Sequence, residues 1–411
     1  MIKATKSQSI CLACGSISLV KLIDLGVQPH ANDFSETNNL KFREPLLLMG
    51  CKECGHAQQE VFVHPEMLFI DYHYASGTSK SLKNYFDKYA SDLVLEISRD
   101  SRILEIACND GSFLESLASQ GFRELKGVDP ASNIVSSARS KGFNVDDDFF
   151  NSDYANRHLL VNCPKYNFIV GQNVLAHTPD PLDLLNAAKL LLAPGGQIQI
   201  QTSQANMIFN GEFDTIYHEH YSFFSAHSMQ RLAARAGLIL VSLDYPDVHG
   251  TSFRFTLKSD GEPGTSVTDR LNFEIQHGLL DGKCFKEFSK QAENRVNAYR
   301  QHIKDWHENG LTVVGVGMAA KSVTFFNYAG VFPDFVIDEA PLKVGKYLPG
   351  SSLRVQPLLE VDSFPPKTVF VIGAWNFFDE LKEKIKTARG TQLGNGDLFV
   401  RYLPELEIKT C

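Results

Sequence analysis

The chain has 411 residues, 43% hydrophobic and 21% charged, the profile of a globular protein of roughly two to four domains rather than a disordered one. With 40 Lys and Arg against 48 Asp and Glu, the net charge of −8 argues against a nucleic-acid partner held by bulk electrostatics. There is no apolar run of membrane-spanning length, and the start, MIKATKSQSICLACG, lacks a signal-peptide core, so the expectation is a cytoplasmic protein with no membrane partner, monomeric by default.

Residues 1–70 read as a small zinc-binding module. LVKLIDLG and EPLLLMGC have the pattern of short strands. Four of the eight cysteines form two pairs, Cys11/Cys14 and Cys51/Cys54, and a glycine follows each pair (Gly15, Gly55) and eases the turn under a metal. Two such knuckles supply four thiolates for tetrahedral, structural zinc, which would staple a core too small to hold itself. Two redox pairs or unliganded cysteines are the other readings. His30 and His56 are conceivable substitute ligands.

Residues 71–245 alternate helix and strand patterns, which implies a mostly parallel sheet covered on both faces. SKSLKNYFDKYASDLVLEI has helical spacing; RILEIAC, LKGVDPA, YNFIVGQNVLAH and GQIQIQTS are strands; SFLESLASQG, DPLDLLNAAKLLLAPGG and SMQRLAARAGL are helices closed by glycine or followed by a stop. In ILEIACNDGSFLE an acidic residue, Glu105, ends a strand, and Asn109-Asp110-Gly111 opens a helix, with Gly111 permitting close approach of a ligand. The next strand ends in Asp129, placed to hold a ribose diol, and the third ends in Gln172-Asn173, a pocket floor, with His177 just beyond. Ala107, Cys108 and Asn109 stand where glycines are usual. The pattern resembles class I methyltransferases that use S-adenosylmethionine; a nicotinamide-binding Rossmann domain is the competing reading.

Residues 246–411 open with a strand, TSFRFTLKS, followed by a long charged helix near 283–308. LTVVGVGMAAKSVTFFNYAG then restarts a strand–glycine loop–helix unit, so this stretch is a second α/β domain. Its turn, Gly315-x-Gly317 with Lys321 behind it, either aims N–H groups at a diphosphate or is a tight structural turn. No internal repeat of solenoid length is visible.

The densest chemistry lies at 217–220, Tyr-His-Glu-His, inside FDTIYHEHYSFFS. A phenol, a carboxylate and two imidazoles among aromatics suggest proton transfer near neutral pH.

In this order, the four-cysteine module, the NDG loop, YHEHYSFFS, and GVGMAAKS with DEAPLKVGKYLPG and WNFF resemble the nucleotide-sugar C-methyltransferases over nearly the whole chain. That resemblance implies methyl transfer from S-adenosylmethionine to carbon 3 of a nucleotide-diphosphate 4-keto-deoxysugar through an enolate, with no catalytic metal. It makes His220 the base and gives Glu219 a ring or sugar hydroxyl to hold. Tyr217 and His177 fall near the ketone. DYHYASGTS brings Tyr74, or Tyr72, over the sugar and puts Ser76 and Ser79 near the donor or the lid. Glu105, Asn109, Asp110, Gly111, Asp129, Gln172 and Asn173 become donor contacts, and Lys321, Asn327, Asp338, Lys343 and Lys346 nucleotide contacts. His218 reads as a histidine that satisfies a backbone carbonyl. HGTSFR departs from an expected His-Gly-Gly-Ser, with Thr251 at the second glycine. Methylation of oxygen or nitrogen on a small molecule is the alternative activity.

Overall fold

The computed structural model describes residues 5–38, 43–69, 76–78, 80–203, 206–248, 250–390 and 396–410; Tyr72, Tyr74, Ser79 and His249 lie outside the described residues. The chain forms two compact units, each from three separate stretches. Met1–Val20, Met49–Ala205 and Tyr221–Gly282 make the first; Lys21–Leu48, Asn206–His220 and Lys283–Cys411 make the second. The units therefore cut across the stretches 1–70, 71–245 and 246–411.

The N-terminal region carries β1 (Thr5–Ser7), β2 (Leu19–Pro29), β3 (Arg43–Cys51), β4 (Ala57–Gln59) and β5 (Val61–Val63). β1 pairs antiparallel with β5, and β2 lies beside β3.

The first unit is built on β6 (Ile103–Ile106), β7 (Leu125–Asp129), β8 (Asn144–Asp147), β9 (Tyr166–Gln172) and β10 (Leu192–Thr202). β11 (Ser222–Phe223) pairs with β4, and β12 (Ile239–Asp244) and β13 (Phe253–Lys258) complete the sheet. The strand order is β12-β13-β10-β9-β6-β7-β8, parallel from β6 to β10, with β13 antiparallel between β10 and β12. The central strand β6, Ile-Leu-Glu-Ile, is buried at every position, as a strand covered on both faces must be. β7 and β9 flank it, so the order reverses there, and the crevice at their C-terminal ends is where open α/β sheets bind ligands. TSFRFTLKS is thus a strand of this sheet rather than the start of the second α/β domain.

Local sequence sets the helix starts. Asn151 and Asp180 accept the N–H groups of Tyr154 (2.8 Å) and Asp183 (3.1 Å), with Pro181 in the first turn of the second helix. Ser225 and Ser228 cap each other reciprocally before helix Ala226–Arg235. Cys11, Ala13, Cys51 and Cys54 join the same apolar cluster as Ile198, Leu232 and Phe253, so the knuckles belong to the core of the sheet rather than to a free-standing module.

The second unit contains helix Lys283–Glu308, whose buried stripe (Phe285, Phe288, Ala292, Val296, Tyr299, Ile303, Trp306) follows the helical period. Its sheet comprises β14 (Val313–Val316), β15 (Phe335–Asp338), β16 (Val355–Pro357), β17 (Val369–Ile372), β18 (Leu398–Arg401) and β19 (Glu407–Thr410). The order is β16-β15-β14-β17-β18-β19, all parallel except β19. Among the described residues no helix is long and apolar enough to cross a membrane.

Candidate active site

In the first unit, the loop after β6 takes left-handed backbone at Ala107 (φ 56°), Asn109 (φ 50°) and Gly111 (φ 74°). Only the last is free of the roughly 1–2 kcal/mol that a side chain costs there, and the surrounding bonds hold the other two. Asp129 at the end of β7 accepts the Asn109 N–H on Oδ2 and the Ala131 N–H on Oδ1, both at 2.9 Å. Asp110 accepts from the Ser112 hydroxyl (2.6 Å) and N–H (3.2 Å), which steadies the start of helix Ser112–Ser119. Residues 76–78 dock on this loop: Ser76 N–H donates to Asn109 Oδ1 (2.9 Å) and Gly77 N–H to Asp110 Oδ2 (3.1 Å). A β-carbon at Gly77 would stand 2.6 Å from Asp110 Oδ2, so this contact requires glycine.

At the strand ends around the loop, several buried polar atoms lack partners. Glu105 Oε2, both amide atoms of Gln172, Asn173 Oδ1 and Thr202 Oγ1 are buried and make no hydrogen bond of ordinary length. They sit at the C-terminal ends of β6, β9 and β10. Burial, with the charges of Asp129 and Asp110 adding to it, pushes the Glu105 carboxyl well above the usual range; nearby Gln172 opposes this. Burial likewise raises Asp129, against the pull of its two N–H bonds. Such orphans cost about 1–3 kcal/mol each unless a ligand meets them. Hydroxyls, an ammonium group and a purine amine, the groups S-adenosylmethionine offers, match this set. His177 ends the segment Leu175–His177 after β9, with its ring edge-on to Phe69 at 5.5 Å.

The four cysteines form the metal-capable group, their sulfurs all within 4.8 Å of one another. Cys11–Cys54 and Cys14–Cys51 are each 3.6 Å apart, against about 3.8 Å for sulfurs around tetrahedral zinc. Hydrogen bonding from Cys11 holds the Cys51 thiol down, and the same pairing pushes Cys11 up: the first thiolate opposes the next, and a divalent cation removes that opposition. The donor set fits zinc. His56 is not among these ligands; its Nε2 faces Ser222 Oγ at 3.2 Å.

In the second unit, His220 is buried. Its Nδ1 lies 2.8 Å from the Thr215 carbonyl and its Nε2 2.8 Å from the Tyr217 hydroxyl. A carbonyl only accepts, so Nδ1 carries the proton, and Nε2 is the basic nitrogen that receives the phenol. Glu219 Oε1 accepts from the Asn32 side-chain amide at 2.6 Å. His218 donates from Nε2 to the Glu44 carbonyl (3.2 Å), its ring lies 4.9 Å from that of His30, and burial lowers its pKa to about 4. His30 thus serves the second unit and not the cysteine cluster.

Among the remaining residues singled out in the sequence, Asp338 accepts from Met318 N–H (2.6 Å) and Ala340 N–H (2.8 Å), with Lys343 at 3.6 Å. Lys346 is half-buried in the turn that follows. Asn327 donates to the carbonyls of Val323 (2.8 Å) and Pro349 (3.0 Å), clamping a helix to a turn. Lys321 lies over the Trp375 ring (3.9 Å) and donates to Asn376 (3.1 Å). The Trp375 indole donates to Asp214 (2.7 Å), whose carboxyl burial pushes up to about 7 while Lys321 pulls it back. Nothing in the sequence singles out Glu212 or Asp214. Asp214 lies in the run FDTIYHEH and Trp375 in WNFF, but nothing in either run signals that two residues 161 positions apart meet.

Three family models match in succession: "Putative zinc binding domain" over residues 11–69, "Methyltransferase domain" over 80–243 and "C-methyltransferase C-terminal domain" over 247–404. The fold and donor-side geometry, with the methyltransferase match, define a class I methyltransferase. Within that class, the chain carries the zinc-binding, methyltransferase and C-methyltransferase C-terminal matches in that order. The C-methyltransferase NovU of Streptomyces niveus is 28% identical over 96% of this chain and 95% of its own length. A ubiquinone biosynthesis O-methyltransferase of Aeromonas salmonicida is 27% identical over 34% of this chain and 63% of its own. Magnesium protoporphyrin IX methyltransferase from Synechocystis, a solved structure, is 13% identical with a TM-score of 0.33, covering 43% of this chain and 78% of that one.

Proposed function

We propose that the protein methylates carbon 3 of a nucleotide-linked 4-keto-deoxysugar through an enolate, in deoxysugar biosynthesis in the cytoplasm, as a monomer. The Tyr217–His220 pair carries this reading. When bound, S-adenosylmethionine supplies an electrophilic methyl group, and the orphaned acceptors and donors at Glu105, Gln172 and Asn173, with Asp129, are the groups that would hold it.

A carbon beside a ketone becomes a nucleophile only after losing a proton, which needs a positioned base. His220 has its Nδ1 proton committed to Thr215, so Nε2 is the proton acceptor. Tyr217, the less buried of the two, relays: its oxygen takes the carbon-3 proton as its own passes to Nε2. Enolate charge then needs donors at its oxygen, a role we give to His177 and Tyr74, with Tyr72 on the sugar. Glu219 holds a sugar hydroxyl, and Asp338, Lys343 and Lys346 hold the nucleotide. Lys321 and Asn327 support that site through the contacts described above.

The test is mass spectrometry of reactions in deuterated water with thymidine- or guanosine-diphosphate 4-keto-6-deoxyhexoses. One added methyl on one sugar, with solvent deuterium entering carbon 3 in the absence of donor, is the expected result. The His220→Ala variant should bind donor normally and lose both exchange and transfer. No methylation of any keto-sugar, with donor binding intact, would send the search for the acceptor elsewhere.

A further inference from the structure

The segment between the two cysteine knuckles contains a turn that reaches the Tyr-His-Glu-His run. After β2, Asp33 N–H donates to the His30 carbonyl (3.1 Å) and Phe34 N–H to the Asn32 carbonyl (2.9 Å), so residues 30–34 fold back on themselves. Ala31 is buried and His30 packs on His218. On the other side, Tyr347 N–H donates to the Ser35 carbonyl at 2.8 Å, and Lys343 lies 5.5 Å from the Phe34 ring. The turn is thus fastened at both ends. Between those fastenings Asn32 is exposed, yet its side-chain amide meets Glu219, which is buried, at 2.6 Å.

We infer that Asn32 is a positioning residue for the reaction: it fixes the Glu219 carboxylate, which lies two residues after Tyr217 and one before His220. The inference rests on the proposed function of the Tyr-His-Glu-His run, and deepens it. A glutamate side chain has three rotatable bonds and loses about 1–2 kcal/mol of rotamer freedom on being held. A short charge-assisted bond from a residue on a fastened turn meets that cost before substrate arrives. The turn at residues 30–35 is therefore part of the acceptor site, not a spacer between zinc ligands.

Asn32→Ala and Asn32→Asp, together with Asn32→Asp/Glu219→Gln, test the inference in the full chain. Asn32→Ala should lower kcat/KM for the keto-sugar at least tenfold while the KM for S-adenosylmethionine stays unchanged, a split that a general loss of structure would not give. Asn32→Asp sets two carboxylates against each other and should lower the melting temperature. The double variant restores a donor opposite an acceptor, so it should recover melting but not turnover. Wild-type kinetics in Asn32→Ala, or identical melting of Asn32→Asp with and without Glu219→Gln, would overturn the inference. If the wild type methylates no keto-sugar, the functional reading falls, and the melting cycle still decides whether Asn32 fixes Glu219.

Discussion

Asp129 and Asp338 clasp two different loops in the same way. Each ends the strand next to a strand–loop–helix unit. Each takes on Oδ2 the N–H of a loop residue 20 positions earlier (Asn109, Met318) and on Oδ1 the N–H two residues later (Ala131, Ala340). Both are 6% exposed. The two α/β units thus share a construction that their sequences, ACNDG and VGMAA, do not advertise.

The shared clasp predicts opposite consequences for two equivalent substitutions. Asp129→Ala removes two charge-assisted bonds of about 1.5–3 kcal/mol each from the donor loop, and should weaken S-adenosylhomocysteine binding at least tenfold. Asp338→Ala should leave that affinity unchanged and raise the KM of the acceptor. Calorimetry and steady-state kinetics on both variants check this; equal loss of donor affinity in both would contradict it.

Glu105 should make donor binding pH-dependent. Its carboxyl is raised by burial and by Asp129 and Asp110, so it holds a proton above the usual carboxylate range. An ammonium group of the donor held by Glu105 would favour the ionised form, so binding would expel a proton. Affinity therefore rises with pH up to the raised pKa and then levels off. Calorimetry in buffers of different ionisation enthalpy should show proton release, absent in Glu105→Gln. Buffer-independent heats in the wild type would refute the assignment.

Tyr217→Phe separates relay from enolate stabilisation. If Tyr217 passes the proton to His220, the variant should lose carbon-3 exchange about as fully as His220→Ala, a deficit of ~100-fold or more. Exchange near the wild-type rate with slowed methyl transfer would place the phenol at the enolate oxygen instead.

Zinc removal should damage more than the N-terminal stretch. Cys11, Cys51 and Cys54 share an apolar cluster with Ile198, Leu232 and Phe253 of the donor unit. Arg235 also donates to the carbonyls of Leu12 and Ala13. Metal analysis should find one zinc per chain. Cys51→Ser should lower the melting temperature and donor affinity together, because structural zinc contributes several kcal/mol or more to folding. Unchanged melting after chelation would exclude a structural metal.

Thr251 is strained and replaceable. Its φ of 72° costs a β-branched residue roughly 1–2 kcal/mol, partly offset in Thr251→Gly by the larger unfolded-state entropy of glycine. The variant should melt about 1–3 °C higher. A lower melting temperature would mean that the threonine side chain repays its strain.

The sequence made the donor side legible because strand ends in a parallel sheet are read in order: Glu105, Asp129 and Gln172 sit at adjacent C-terminal ends as their spacing predicts. The zinc cluster was legible for a similar reason, since two knuckles admit few arrangements. Contacts between distant segments were not. Nothing near Asn32 marks it as a partner of Glu219, 187 positions away. Lys321 looks like an anion ligand by its place after a glycine turn, and only the structure shows Trp375 and Asn376 already holding its ammonium. TSFRFTLKS has strand propensity, but propensity does not say which sheet a strand joins; its pairing with β10 and β12 does.

The chain passes between its two units after Val20, Leu48, Ala205, His220 and Gly282. No single cut releases either one. A chimera that imports only residues 246–411 from a relative would change the second unit's sheet while leaving behind Asn32 and the Tyr-His-Glu-His run, which belong to the same unit. Exchanging that unit whole by recombination therefore requires three grafts made together, and its transfer by a single crossover is correspondingly hindered.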